Sequence, residues 1–406
     1  MNGLTSNRPF RPAWLHEIPD PRRDAPMRLP DFMLEDWIDR YRSHCRYNIA
    51  SSDVEGLALD QLLSLRDEET RALWDSLTLG YSHSLGHPLL RAEVARLHPG
   101  AGAESVHVFA GTTEAVLAAV GAALDPGDHA VVVGPAYQLL TGLPAVVGAE
   151  ADQVDLRSED GWALDVDRVR SACRPTTRLL ILNAPNNPTG ALPSSEQVRA
   201  LAALAESLGA RLLVDEVYRG LEEPGTTPPS GVELGPHAVT VSGLSKAYGL
   251  AGLRIGWVVS TDAGYRRRLR EFRSWTTLNN SAPSEILALV ALRARATLLG
   301  RARSIVTANR ALLEDFLTQH TDWFDWVPTR AGTTAYPRLL RDDAHRAAEA
   351  LATRHGIFTV PSSVIPSTGE HLRIGLGRTD LPEGLDALAA ALATSRPGEL
   401  SANAAV

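Results

Sequence analysis

Short apolar runs alternating with stretches of helical period set the pattern of this chain. Ser105 to Phe109 reads as a strand, Thr113 to Leu124 as a helix, Ala130 to Val133 and Arg178 to Leu182 as buried strands, and Glu196 to Leu208 as a second helix. Further apolar strands follow at Arg211 to Val214, Ala238 to Val241 and Ile255 to Ser260. Strands that are apolar throughout and separated by helices must be covered on both faces, which predicts a mostly parallel sheet between two helical layers. Crossovers in such a sheet are right-handed, and ligand groups gather where strand ends meet helix starts.

The flanks differ. The first thirty residues are rich in Pro and Arg without a period, as suits an arm laid over a surface, and a helix-like segment from Asp31 leads into the turn-rich stretch Ile49 to Gly56. A long helical stretch from Ser284 through Gln319 bridges to a second lobe. That lobe mixes strands at Gly332 to Tyr336 and His371 to Gly375 with helices at Ala344 to His355 and Pro382 to Thr394, an α+β pattern. A chain of 406 residues exceeds one ordinary core, so two lobes are expected. The expected division is an arm over 1–30, a segment over 31–60 that contributes to the small domain, a large domain over 61–290, a small domain over 291–395 and a flexible tail over 396–406.

Composition narrows the partners. Net charge is −8 and the arginines are scattered, which speaks against a nucleic-acid footprint. No apolar run reaches the roughly 18 residues needed to span a bilayer, and the opening residues lack a basic-then-apolar signal pattern. Cys45 and Cys173 lie far apart without metal spacing, so two free thiols, no metal site and a cytoplasmic location are expected.

Of the 40 basic residues one, Lys246, is lysine and the rest are arginine. A guanidinium stays protonated and is a poor nucleophile, whereas an ε-amine in a tuned site loses its proton and condenses with a carbonyl. Lys246 therefore reads as a Schiff-base lysine, in the setting Ser242-Gly243-Leu244-Ser245-Lys246-Ala247-Tyr248-Gly249 with Arg254 eight residues on. Three more fragments accompany it. Ala110-Gly111-Thr112-Thr113-Glu114 is a strand followed by a small-residue turn opening a helix, a place able to hold a phosphate or simply to cap. Asn183-Ala184-Pro185-Asn186-Asn187-Pro188-Thr189-Gly190 by itself marks a tight turn after a buried strand. Asp215-Glu216-Val217-Tyr218 puts a carboxylate at the end of an apolar strand, where an unpaired charge is costly.

Set in order, from about Tyr81 to Arg373, these fragments resemble the pyridoxal-phosphate enzymes of fold type I, and within them aminotransferase class I/II. The resemblance implies an α/β fold: a large domain with a mostly parallel seven-stranded sheet sandwiched by helices, plus a small α+β domain. It implies that Lys246 forms the Schiff base with pyridoxal phosphate and then moves the α-proton. It implies that Asp215 keeps the pyridine nitrogen protonated, so that the ring acts as an electron sink. Asn187 and Tyr218 match the groups that bond the phenolic oxygen, and Tyr137 the aromatic stacked on the ring face. Gly111, Thr112, Thr113, Ser245 and Arg254 match the phosphate site, and Tyr81 a tyrosine reaching the phosphate from a neighbouring subunit. Arg373 matches the fork that takes the α-carboxylate, with Asn187 beside it. A homodimer with shared active sites, acting on a free α-amino acid, is thereby implied.

The sequence also departs from that pattern. Gly243 stands where relatives often carry a phosphate-binding hydroxyl, with Ser242 as a compensating candidate. Trp275 stands where another aromatic is frequent, and Ser362 follows Pro361 where glycine is common. These departures bear on reaction outcome. Transamination to a 2-oxo acid is one outcome. The other is elimination, replacement or ring closure, because Arg46 to Glu55 together with Leu34-Glu35-Asp36-Trp37 resembles capreomycidine-synthase-type enzymes, which cyclise a hydroxylated arginine in antibiotic pathways. His83 and His87 are candidates for an extra acid or base, or ordinary loop residues. A decarboxylating acyltransferase is disfavoured by Tyr137 at the stacking position, and a regulator by the lack of a preceding helix-turn-helix.

Overall fold

Seven strands form the central sheet of the computed structural model, which describes residues 29–365, 367–395 and 400. Residues 1–28 of the expected arm, and the expected tail apart from Leu400, lie outside the described residues. The strands are β1 (Val106–Phe109), β2 (His129–Gly134), β3 (Glu150–Asp155), β4 (Thr177–Asn183), β5 (Arg211–Asp215), β6 (Ala238–Gly243) and β7 (Gly256–Val259). Their order is β1-β7-β6-β5-β4-β2-β3, all parallel except β7, which runs against both of its neighbours.

Alternation along each strand feeds two apolar layers. Strand β5 sends Leu213 to one face, with Ala115, Val116 and Ala119, and sends Leu212 and Val214 to the other, with Val198, Leu201 and Ala205. After helix α1 (Met33–Tyr41), the first layer belongs to helix α2 (Thr112–Ala123) and the second to helix α3 (Ser195–Ser207). Burying a leucine such as Leu213 contributes roughly 1.5–3 kcal/mol, and the two-sided cover explains why these strands read as unbroken apolar runs. Strand β3 gives no such signal. It is the sheet edge, its sequence Glu150-Ala151-Asp152-Gln153-Val154-Asp155 has no fully buried position, and charge on an edge discourages pairing with other chains.

The expected long helix from Ser284 to Gln319 is instead two, α4 (Ala282–Arg293) and α5 (Arg295–Gln319), which part at Ala294. No Gly or Pro marks the break. Helix α4 is buried over most of its surface, whereas α5 has one buried stripe, so the chain leaves the interior at that residue. Beyond it, helices α6 (Ala344–His355) and α7 (Leu381–Ala393) accompany a three-stranded antiparallel sheet of β8 (Thr334–Ala335), β9 (Val360–Pro361) and β10 (Leu372–Gly375), ordered β8-β10-β9. Among the described residues no helix is long and apolar enough to cross a membrane.

One connection matters for the site. Tyr47 and Asn48 pair in parallel with Ile357 and Phe358, and the Gly375 N–H donates to the Ile49 carbonyl at 2.7 Å. A side chain on Gly375 would start 1.9 Å from the Ser51 oxygen, so only glycine lets the segment from Ile49 to Glu55 lie against β10.

Candidate active site

The carboxyl ends of the parallel strands and the start of β7 share one edge of the sheet, and a cleft of about 210 Å³ opens there. Lys246, Asp215, Tyr218, Asn187, Tyr137, Thr112, Thr113, Ser245, Arg254 and Arg373 all line it. Gly111 sits behind Arg254. Tyr81 does not line the cleft and is 91% exposed. His83 and His87 do not line it either; their rings meet edge to face, and His87 Nδ1 accepts from the Leu89 N–H at the start of a short helix.

Strand ends set the floor. Asn183 and Asp215 are register partners at the ends of β4 and β5, and Asn183 Nδ2 donates to the Asp215 carbonyl at 3.0 Å while its Oδ1 accepts the Asn187 N–H at 2.7 Å. The Val217 N–H donates to Asp215 Oδ1 at 3.1 Å. Burial pushes the Asp215 carboxyl up to about 7; the Val217 N–H and the Lys246 charge oppose that rise, and neighbouring Glu216 adds to it. Lys246 lies three residues past the end of β6, after Leu244 and Ser245, and its Nζ donates to Ser52 Oγ at 2.8 Å. Burial holds its ammonium below the usual lysine range, Asp53 opposing and Arg373 assisting.

Arg373, 3% exposed on β10, donates from Nε to the Ala50 carbonyl at 3.2 Å and from Nη1 to Asn187 Oδ1 at 3.4 Å. The Tyr137 hydroxyl donates to Glu35 Oε1 of α1 at 3.0 Å. Burial raises the Tyr218 hydroxyl's pKa; it lies beside Ser52 without a well-formed hydrogen bond. Gly111 caps α2 with φ 95°, and a side chain on it would start 2.3 Å from Arg254 Nη2, so the guanidinium rests against bare backbone at the helix start.

The Gly243 departure has a steric cause. A Cβ there would lie 2.3 Å from Thr112 Oγ1 and 2.9 Å from the Ile255 carbonyl, so no hydroxyl-bearing side chain fits. Ser242 does not compensate, because its hydroxyl donates to the Glu216 carbonyl at 3.1 Å. Trp275 is 88% exposed. The residues that sequence reasoning did not single out are Ser52, Glu35 and Asn183. The first two lay inside segments noted only for a likeness, and the third in a fragment that by itself marked a turn.

A mostly parallel sheet with a lone amine, a buried carboxylate and a helix start meeting at its carboxyl edge defines a cofactor-dependent α/β enzyme. The sequence matches the family Aminotransferase class I and II over residues 47–392, and the chain belongs to that family. Over 382 residues it is 33% identical to capreomycidine synthase of Streptomyces vinaceus, covering 92% of this chain and 97% of that one. Its fold is similar to that of a PLP-dependent aminotransferase from Streptococcus suis 89-1591, with a TM-score of 0.84 and 29% identity over 89% of this chain and 97% of the other. It is also similar to the PLP-dependent cyclase OrfR, with a TM-score of 0.81 and 27% identity over 91% and 98% of the two chains. The protein is thus a pyridoxal-phosphate-dependent enzyme of the aminotransferase type.

The residues present fit that cofactor. Thr112 Oγ1 and Tyr218 Oη are buried without partners of their own, as donors waiting for a phosphate and a phenolic oxygen would be. The bare Gly111 leaves a cradle at the positive end of α2. Asp215 is a buried carboxylate in want of a cationic partner, which a protonated ring nitrogen supplies.

Proposed function

We propose that this enzyme transaminates a free α-amino acid to a 2-oxo acid, with Lys246 as both the Schiff-base lysine and the base that moves the α-proton. The observation that carries the reading is the meeting of the chain's one lysine with Asp215 and Arg373 in a single cleft. Bound there, pyridoxal phosphate supplies an aldehyde for the substrate's amino group and an electron sink for the bond that breaks. Asp215 faces the ring nitrogen, Tyr137 covers one ring face, and Asn187 and Tyr218 donate to the phenolic oxygen. The start of α2, with Gly111, Thr112 and Thr113, holds the phosphate together with Ser245 and Arg254. Arg373 fixes the α-carboxylate beside Asn187 and so aims the Cα–H bond at Lys246.

The working form is a cytoplasmic homodimer with a large domain, a small domain and shared sites. Leu79, Tyr81, Trp275 and Leu278 are exposed at 86%, 91%, 88% and 48%. The loops bearing them are joined, since Ser82 Oγ donates to the Asn280 carbonyl at 3.1 Å. Large apolar side chains gathered this way favour a covering partner, and Tyr81 would then reach the neighbour's phosphate.

Ring closure is the second reading, favoured by the likeness to capreomycidine synthase along 97% of that enzyme's length. Incubating the enzyme with a panel of amino acids, with and without 2-oxoglutarate, separates the two. Transamination is expected to give a 2-oxo acid and the cofactor as pyridoxamine phosphate. A dehydrated or cyclised amino acid with the cofactor still an aldehyde establishes the second reading instead. Arg373→Lys, which loses the two-pronged grip on the carboxylate, is expected to raise KM about tenfold to a hundredfold with a smaller change in kcat. Unaltered saturation kinetics would remove Arg373 from the carboxylate site.

A further inference from the structure

Lys246 has a hydrogen-bond partner that is neutral. Its Nζ donates to the Ser52 hydroxyl at 2.8 Å across 194 residues of sequence, and Ser52 is 8% exposed. A carboxylate in that place would hold the lysine charged and unable to take a proton, whereas a hydroxyl can accept from the ammonium without enforcing it. The hydroxyl is also held in place by backbone. The Ser52 carbonyl accepts from Thr333 Oγ1 at 2.6 Å, and two residues on the Val54 N–H donates to the Lys246 carbonyl at 3.2 Å. The turn that carries Ser52 is therefore tied on one side to the lysine loop and on the other to the residue that precedes β8. A serine oxygen has two acceptor lone pairs and one O–H. With Nζ donating inward, its own proton stays free to face the Tyr218 hydroxyl beside it.

The geometry points to Ser52 as a catalytic residue that accepts a hydrogen bond from Lys246 and stabilises the ammonium formed when that amine takes the α-proton. This rests on Lys246 being the base. In the step the Cα–H bond breaks, its electron pair stays with the substrate, and the proton bonds to the neutral Nζ; Ser52 gives up no atom and strengthens one contact as the charge appears. Other charges face the same amine. Asp53 of the turn, Glu35 of α1 and Asp215 of β5 favour the ammonium, while Arg373 of β10 and burial oppose it. Ser52 differs from these in touching the reacting atom.

A single lysine makes the test direct, because competitive acetylation of the full-length chain without cofactor, read by peptide mass, reports the ionisation of Lys246 alone among side-chain amines. Ser52→Ala is expected to lower the Lys246 pKa by about one. In the loaded enzyme it is expected to slow exchange of a bound amino acid's α-proton into deuterated water about tenfold. Ser52→Thr keeps the hydroxyl and is expected to restore both. Ser52→Cys, close in volume and a weak acceptor, is expected to behave like the alanine variant, which covers the case of alanine failing to fold. A wild-type lysine pKa in the alanine or cysteine variant overturns the assignment, even where exchange slows, since that pattern belongs to a merely structural serine. Exchange at the wild-type rate in Lys246→Ala instead sinks the reading of Lys246 as the base, an outcome the serine variants do not produce.

Discussion

Lys246→Ala is expected to leave a protein to which borohydride fixes no cofactor at residue 246 and whose turnover falls by about 10² to 10⁴ from the lost base alone. Two separate functions disappear together. The first is the covalent hold, because no other side chain in the sequence carries a primary amine. The second is the proton transfer, because the groups left in the cleft are Tyr137 and Tyr218, whose burial raises their pKa, the carboxyls of Asp215 and Glu35, already bonded by the Val217 N–H and the Tyr137 hydroxyl, and the arginines. Lys246→Arg should fare no better, since a guanidinium neither condenses with the aldehyde nor releases a proton at accessible pH. Adding a small primary amine to the alanine variant is expected to return part of the exchange activity. The decisive measurement is peptide mapping after reduction. Cofactor mass retained in the alanine variant away from the chain's terminal amine would mean that the cleft is not where the cofactor is bound.

Legibility in the sequence followed the physics of each segment. Strands β4, β5 and β6 are covered on both faces, so their apolar runs announced them, and the carboxylate that ends β5, Asp215, stood out as a break in its run. Strand β3 was illegible because a charged edge strand has no apolar period. The parting of α4 from α5 at Ala294 was illegible because depth of burial, not a breaking residue, causes it. Motif reading brought together Asp215, Tyr218, Asn187, Lys246 and Thr112, which lie at strand ends or close after them in sequence, but took Asn183 only as the start of a turn. It passed over Ser52 and Glu35, which reach the cleft only because β10 and α1 fold back over the sheet edge. Gly243 was visible as an oddity, and the crowding at Thr112 that explains it exists only in three dimensions. Tyr81 marks a different limit: it is exposed and does not line this cleft, and its assignment to a neighbour's site rests on the proposed dimer alone.

Asp215→Asn is expected to reverse its effect on stability according to whether cofactor is bound. In the cofactor-free chain the Asp215 carboxyl has been pushed from 3.8 up to about 7 by burial. Between those values the folded chain keeps a proton that the unfolded chain has released, so the contribution of this group is complete below about pH 4 and is lost as pH rises through 7. Asparagine has no such proton and keeps the acceptor for the Val217 N–H. Without cofactor the variant should therefore gain on the parent in thermal unfolding as pH goes from 4 to 8, by up to about 4 kcal/mol at 1.36 kcal/mol per pKa step. Under the proposed reading, bound pyridoxal phosphate would set a cationic ring nitrogen against an anionic Asp215, and removing one partner of a buried pair costs about 3–5 kcal/mol. The parent should then be the more stable at pH 8, and the variant's turnover should fall on the order of 10² to 10³. Thermal unfolding at pH 4, 6 and 8, with and without cofactor, measures both halves. Parallel curves in all conditions would show that Asp215 neither carries that proton nor meets the ring, and the buried carboxylate would then need another explanation than the chemistry of the cleft.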